Sequence, residues 1–463
     1  MKLKISFLHL LVMLATIILL GCEAFTEIDP PRNEVVSAAV FSSEAASQSA
    51  VSGIYSSMMN TSGMFNALTE QYTGWSSDEL ISASALDADN QFYSNAILVT
   101  NTSLLSTFWL EPYKYIYNAN LIIEGLGAST TVPIKTKAQL LAEARFIRAL
   151  CYFSLTNLFG DVPLAVGTDY RINASLSRTT SSAVYDQIVA DLKIAQADLP
   201  VDFSFIASER VRPTRWAATA LLARVYLYRQ NCAGAEEQSS VVIANTALFA
   251  LVPDVKNVFL KNSVESIWQL KPVVPGANTV QADLFVLTTA PDGSTRKSSL
   301  SSSLVSSFES GDSRRANWVG SVVVSGKTYF YPWKNKRIPS GTISEYNTVL
   351  RLAEQYLIRA EARTRSGNLT GALADLNVIR RRAGLSDHTT SDPAELLSFI
   401  MQERRVELFV ESGHRWFDLK RTDQATVVLQ PVKPGWSDTD VLYPVPQSEI
   451  TLDPNLLPQN KGY

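Results

Sequence analysis

Between residues 137 and 159, apolar side chains return every three or four positions: Leu140, Leu141, Ala144, Ile147, Leu150, Cys151, Leu155 and Leu158. Side chains at that spacing share one face of an α-helix, so the run predicts a long amphipathic helix that Gly160-Asp161-Val162-Pro163 ends. The same reasoning predicts helices over 181–199, 214–230, 234–245, 344–366, 369–383 and 393–417. Strand-like alternation is confined to 266–270, to 321–331 around Gly326, and to 441–445. The pattern therefore predicts a mainly α fold with a few short strands.

Two of the expected helix pairs resemble each other. Ala223 precedes Ala235 across a short turn at 230–234, and Ala360 precedes Ala372 by the same spacing across a turn at Gly367-Asn368. Small residues at matching places let the two helices of a hairpin approach closely, as in the tetratricopeptide repeat. Any tight helical hairpin also favours alanine there. Two stretches break the helical pattern, 72–95 and 272–340, both rich in polar and turn-forming residues with isolated aromatics. Long irregular segments in a helical chain commonly carry function.

The front of the chain reads differently. Lys2 and Lys4 precede an uncharged run from Ile5 to Leu20, which ends in Leu19-Leu20-Gly21-Cys22. Residues 1–21 read as an export signal. The Leu-Leu-Gly-Cys ending resembles the lipobox of bacterial lipoproteins, in which Cys22 becomes the lipidated first residue of the mature chain; the alternative is a secreted protein with an incidental Cys22. Residues 22–36, with Pro30-Pro31, read as a tether, and 37–463 as the folded domain. At 46% hydrophobic and 18% charged, the chain is long enough to bury a large core. Its formal net charge is −3, and removing Lys2 and Lys4 makes it more acidic. With no basic stripe to meet phosphates, a nucleic-acid role is disfavoured. Beyond Cys22 the only cysteines are Cys151 and Cys232, both in helical patterns and expected to be buried free thiols, a disulfide being the alternative.

Residues 411–421, ESGHRWFDLKR, gather acids, bases, a histidine and two aromatics. On the helix leading into them Glu403, Glu407 and Glu411 recur every four residues, and Arg404, Arg405 and Arg415 are placed to pair with them. Trp416 and Phe417 would lock the helix end. The block reads as an ion-pair staple rather than a reaction centre. No carboxylate pair stands out for glycoside hydrolysis, no Gly-x-Ser-x-Gly elbow occurs, and His388 and His414 lack metal-ligand spacing. No cofactor is implied.

Taken in order, the lipobox, EARFIRALCYFSLTNLFGDVPL, EQYLIRAEARTRSGN, ALADLNVIRRRAGL and ERRVELFVESGHRWFDLKRTD resemble the SusD/RagB family of outer-membrane nutrient-binding lipoproteins over nearly the whole chain. The resemblance implies a scaffold of tetratricopeptide-like helix pairs with loop-rich inserts. It also implies a lipid anchor in the outer membrane, a SusC-like TonB-dependent transporter as partner, over which the protein acts as a lid, and an oligosaccharide ligand, or a peptide as in some members. A surface glycan hydrolase and a passive protein-interaction scaffold are the readings from other classes.

A sugar presents C–H faces and a rim of hydroxyls, so its site needs flat aromatic platforms and planar polar partners. The 72–95 stretch offers Trp75, Asp78, Asn90, Phe92 and Tyr93; the 272–340 stretch offers Asn278, Gln281, Asp283, Phe285 and Trp318, with Tyr346 nearby. Trp75, between Gly74 and two serines, is the first expected platform; otherwise it is an anchor folded back into the core. Asp78-Glu79 has a second reading as a helix cap.

Overall fold

The computed structural model of the protein describes residues 40–59, 63–274, 276–336 and 342–463. The signal, Cys22 and the tether lie outside the described residues. The longer elements are labelled α1 (Glu44–Met58), α2 (Thr69–Ser76), β1 (Leu80–Ser82), α3 (Asp87–Ser94), α4 (Glu111–Ala128), α5 (Ile134–Phe159), α6 (Ser181–Asp198), α7 (Arg215–Tyr228), α8 (Cys232–Ile243), β2 (Ser266–Leu270), β3 (Ser298–Leu300), β4 (Val319–Val324), β5 (Lys327–Pro332), β6 (Asn347–Arg351), α9 (Leu352–Arg365), α10 (Leu369–Arg382), α11 (Pro393–Glu407) and α12 (His414–Arg421).

From α4 to α10 each helix packs on the next in sequence order, even though more than a hundred residues separate α8 from α9. The alanines explain the α7/α8 and α9/α10 crossings. Ala223 and Ala235 are buried together with Ile358 and Ala362 of α9, while Ala360 and Ala372 are buried with Leu357 and Leu376. The two turns share their chemistry as well. Gln230 and Gly367 are both left-handed, with φ of 58° and 85°. Asn231 and Asn368 then cap the following helices, each side chain accepting from the amide of Gly234 or Gly371 at 3.0 Å. The resemblance between the pairs is thus a structural repeat.

Several expected boundaries shift. The helix expected over 344–366 begins as β6, which pairs antiparallel with β2 before α9 starts. The helix expected over 393–417 stops at Glu407; Val410, Ser412 and Gly413 take left-handed φ, and α12 leaves in a new direction. No strand forms over 441–445. The hairpin at 321–331 is present as β4 and β5, turned by left-handed Ser325 and Gly326. Cys151 is a buried free thiol and Cys232 a half-buried one.

Glu403, Glu407 and Glu411 do form ion pairs, though with distant bases. Glu407 accepts from Arg314 at 2.8 Å, Arg351 at 2.5 Å and Arg382. Glu403 accepts from Arg314 at 2.6 Å, and Glu411 from Arg351 at 2.7 Å and from Lys334. Arg404 instead forks onto Asp418 of α12, and Arg405 and Arg415 both reach Asp78. Helix geometry explains the correction: Glu403 and Glu407, four residues apart, line one face of α11, which turns toward β6, α10 and the 312–318 segment, Glu411 joins them from the turn beyond, and Arg404 and Arg405 lie on other faces. Trp416 and Phe417 are buried as expected, against Tyr443 and Phe153.

Burial alone would raise the Glu407 pKa, but the guanidiniums of Arg382, Arg351 and Arg314 hold it well below its usual 4.5. Its folded-state pKa is depressed, so it contributes stability above about pH 4.5 that is lost as the pH falls toward the folded value. Glu407→Gln should cost about 3–5 kcal/mol in urea denaturation at pH 7, because three buried bases lose a shared partner. The gap from wild type should narrow below about pH 4.5, and a variant of wild-type stability at pH 7 would refute this weight. Exposed Gln230, in contrast, holds a left-handed position at which its counterpart is glycine. Gln230→Gly should raise stability by about 0.5–1 kcal/mol, read as a higher urea midpoint at unchanged slope.

Candidate functional site

The stretches 72–95 and 272–340 meet in space, and the first, expected to be irregular, is mostly built of the end of α2, β1 and α3. β1, from the first, pairs antiparallel with β3, from the second, in the register Leu80↔Leu300, Ile81↔Ser299 and Ser82↔Ser298. The ladder extends through Ala83 N–H donating to Lys297 C=O at 2.7 Å and Ala85 N–H to Gly293 C=O at 3.0 Å. The Lys297 ammonium also pairs with Asp89 of α3 at 2.7 Å. Gly293 makes the approach feasible: its φ is +74°, and a Cβ there would sit 2.9 Å from the Ala83 carbonyl oxygen. β5 lies alongside β3, so α3, β1, β3 and the β4–β5 hairpin pack side by side, with β3 itself buried between them.

Trp75 does not reach the surface there. It is 0% exposed and meets Tyr72 edge-to-face at 5.2 Å. Tyr72 in turn packs on Phe92 at 4.5 Å, and Phe92 on Tyr443 at 5.4 Å. Trp75 and Phe92 are therefore anchors that seat the insert on the scaffold, with no free face for stacking. The folded-back reading of Trp75 is the one the geometry bears out, and α2 is the helix that carries it.

Asp78 is committed too. It accepts from Arg405 at 2.6 Å and Arg415 at 2.7 Å, and these guanidiniums, working against its burial, hold its pKa below the ordinary value. Neither it nor Glu79 caps a helix. Glu79 accepts from Val410 N–H at 3.2 Å and Glu70 from Ser412 N–H at 3.3 Å, so two acids beneath the insert hold the left-handed turn after α11. Burial raises Glu79 to about 8 and Glu70 to about 7.

Of the remaining expected residues, Asn278 is buried and ties 342–345 together, accepting from Ser344 N–H at 2.8 Å and Glu345 N–H at 3.1 Å. Phe285 is core. Trp318 is 0% exposed, donates to Val255 C=O at 2.8 Å, and lies with its ring 5.0 Å from the Lys334 ammonium, roofing the charge cluster. Tyr346 is buried and donates to Glu209 at 2.6 Å. Gln281 is buried beside Glu70 at a cavity of about 20 Å³, room for a water and no more. Asp283 is half-buried. Most of the aromatics proposed from loop position were thus drawn inward, because large rings gain more by burial than by exposure.

Two expected residues do reach the surface of the paired inserts. Tyr93 on α3 is 36% exposed, with the Lys433 ammonium 5.6 Å from its ring. Lys433 itself is buried, which lowers its pKa to about 7, and it donates to the carbonyls of Trp75 and Ser76 at the end of α2. Asn90 is half-buried; it accepts from Ser82 and donates to Ser84 C=O, both at 2.9 Å, fixing α3 against β1.

Other candidates on this surface come from β5, which sequence reasoning treated only as a strand. In its run KTYFYPW, Phe330 packs toward the core, while Tyr329 and Tyr331 stand on the opposite face and are half-buried. Tyr331 lies across Gly320, where a Cβ would come within 2.2 Å of its ring. The Lys327 ammonium is 4.8 Å from the Tyr329 ring. Ile81, Leu86 and Asp292 are exposed close by in the chain, while the Gln91 amide is spent on Asp87, Leu98 and Asn101. The period-two alternation of aromatics in a polar insert was the readable signal.

A helical-repeat scaffold carrying two paired inserts defines a class of binding protein, and comparison with known proteins places the chain within it. A family model described as "Starch-binding associating with outer membrane" matches residues 32–227, and one described as "SusD family" matches 287–463. The chain belongs to the SusD/RagB family. It is 29% identical to SusD-like protein P2 of Formosa agariphila, over 100% of both chains, and 27% identical to a SusD-like protein of Bacteroides ovatus over 68% of this chain and 65% of that one. A SusD superfamily protein from Bacteroides vulgatus superposes with a TM-score of 0.79 at 21% identity, covering 91% of this chain and 99% of that one. A laminarin-binding SusD-like protein superposes with a TM-score of 0.77 at 23% identity, covering 91% and 100%. Among the described residues no helix is long and apolar enough to cross a membrane.

Gly293→Val should push the two inserts apart, since a β-branched residue at φ +74° is strained and its Cβ meets the Ala83 carbonyl. The expected outcome is faster amide hydrogen exchange in β1 and β3 with protection in α7–α10 unchanged. Unaltered exchange in the ladder would show that the junction does not depend on this glycine.

Proposed function

We propose that the protein captures oligosaccharides at the α3–β1–β3–β5 surface and passes them to a TonB-dependent transporter, for which it serves as the lid. Carrying this reading is the pairing of two distant inserts, which between them carry exposed Tyr93 and half-buried Tyr329 and Tyr331 among polar side chains. Stacked rings take the C–H face of a sugar while amides, carboxylates and guanidiniums take its hydroxyls. The laminarin-binding structural neighbour supports a glucan as the first ligand to try. In the same reading Cys22 carries the lipid anchor at the outer membrane's exterior face, and the polar groups around the site bind rather than react.

Isothermal titration with laminarin, starch and mixed peptides, followed by reducing-end analysis, tests the proposal. A glycan should bind and be recovered intact. Tyr93→Ala and Tyr329→Ala should each weaken it about tenfold or more, taking about 1–3 kcal/mol per stacked ring by analogy with base stacking. Unchanged affinity in both folded variants would remove the surface from consideration; new reducing ends would make the protein an enzyme, and binding of peptides alone would change the ligand class.

A further inference from the structure

A second concavity lies elsewhere on the molecule. An open groove of about 490 Å³ runs between α4, residues 163–176 and the C-terminal stretch 449–456. Its walls are pinned. Tyr113 donates to Pro163 C=O at 2.8 Å, and Asn120 of α4 donates to the carbonyls of Ala165 and Gly167 at 3.0 and 3.1 Å. Behind Asn120 stands Arg148, itself paired with Asp191 at 2.7 Å. Across the groove, Gln447 N–H is held by Val99 C=O at 2.9 Å, and Asn455 by Ser175 C=O at 3.3 Å. Hydrogen bonds on both sides keep the space open.

The lining has a definite chemistry. Trp109, Tyr113 and Tyr117 present rings, with Leu452 and Leu456 opposite, and Tyr117 and Leu452 are 46% and 79% exposed at the rim. Glu449 sits among them. Its partial burial raises its pKa above the usual value, and the Trp109 and Ser448 side chains lie near enough to its carboxylate to oppose that rise. Asp453 on the same wall caps the short 454–456 helix. Among the described residues no lysine or arginine lines the groove. Arg178, whose charge is felt at Tyr113, spends its guanidinium on Asp161 C=O, Pro458 C=O and Asn460.

We infer that the groove is a binding site for a small organic cation, an ammonium or guanidinium on an apolar stem, with Glu449 as counter-charge and the rings of Trp109, Tyr113 and Tyr117 as the walls. Charge and shape select this class. Aromatic faces beside a carboxylate with no basic neighbour attract a cation and repel an anion. A neutral sugar meets acceptors for its hydroxyls but no charged donor for its own oxygens. The volume falls within the range of small-molecule pockets and is far below what a folded partner needs. The site is separate from the proposed glycan surface and does not depend on it.

The probe is 2-phenylethylamine, with 2-phenylethanol as its neutral counterpart, titrated into the whole protein by calorimetry at pH 8. The amine should bind saturably and at least tenfold tighter than the alcohol. Glu449→Gln should bring the amine to the level of the alcohol, and Tyr117→Ala, which removes an exposed ring and does not threaten folding, should weaken the amine several-fold. Lowering the pH through the range in which Glu449 takes up its proton should weaken the amine and leave the alcohol unchanged. Equal affinity of amine and alcohol, an unaffected Glu449→Gln variant with native thermal unfolding, or no saturable binding would overturn the assignment. Loss of glycan binding in Glu449→Gln would overturn it as well, by making the groove part of the glycan surface.

Discussion

The structure turns on a carboxylate that is costly to bury. Glu407 lies in the interior with three arginines from three separate segments around it: Arg314 before β4, Arg351 at the end of β6, and Arg382 at the end of α10. Arg351 and Arg382 also share Glu265 beside β2, and Arg351 reaches Glu411 in the turn beyond α11. Any of these charges buried alone would cost several kcal/mol, so the segments are compelled to arrive together. The cluster thus sets the position of the β-rich insert relative to the helical repeat, with Trp318 closing its top.

From that junction the paired inserts are carried outward through a second set of buried polar links. Asp78 is clamped by Arg405 and Arg415, and Glu79 and Glu70 hold the backbone of the left-handed turn that separates α11 from α12. The C-terminal block thereby grips the first insert from below, and the β1–β3 ladder ties it to the second. The aromatic cluster of Tyr72, Trp75, Phe92, Phe108 and Tyr443 fills the space between insert and scaffold. The inserts that carry the candidate surface are tied to the core through these contacts.

The helices were readable because their apolar period is local: α5, α6, α7 and α10 sit within a few residues of where their sequence places them. The strand at 347–351 was hidden because its buried residues run directly into those of α9, and a short apolar run has no period of its own. The α11 stop was hidden for another reason: Val410 and Ser412 are not residues that announce a left-handed turn, and in that turn their own backbone N–H groups are received by Glu79 and Glu70, more than three hundred residues away in sequence. Of the expected platforms, Tyr93 is exposed and Trp75 takes its folded-back reading, since an aromatic between a glycine and two serines looks exposed in one dimension whatever packs over it in three.

The sequence by itself determined the helical repeat, down to the paired alanines and the Asn-x-x-Gly turns, because each of those features acts over a few residues. It determined the acids of 403–411 as structural as well. Tertiary structure alone decided which bases those acids meet, which rings face water, and that the two inserts pair with each other. Charge pairing, ring burial and strand pairing at these places act between residues far apart in the chain, and the energy of each depends on what the rest of the fold brings alongside.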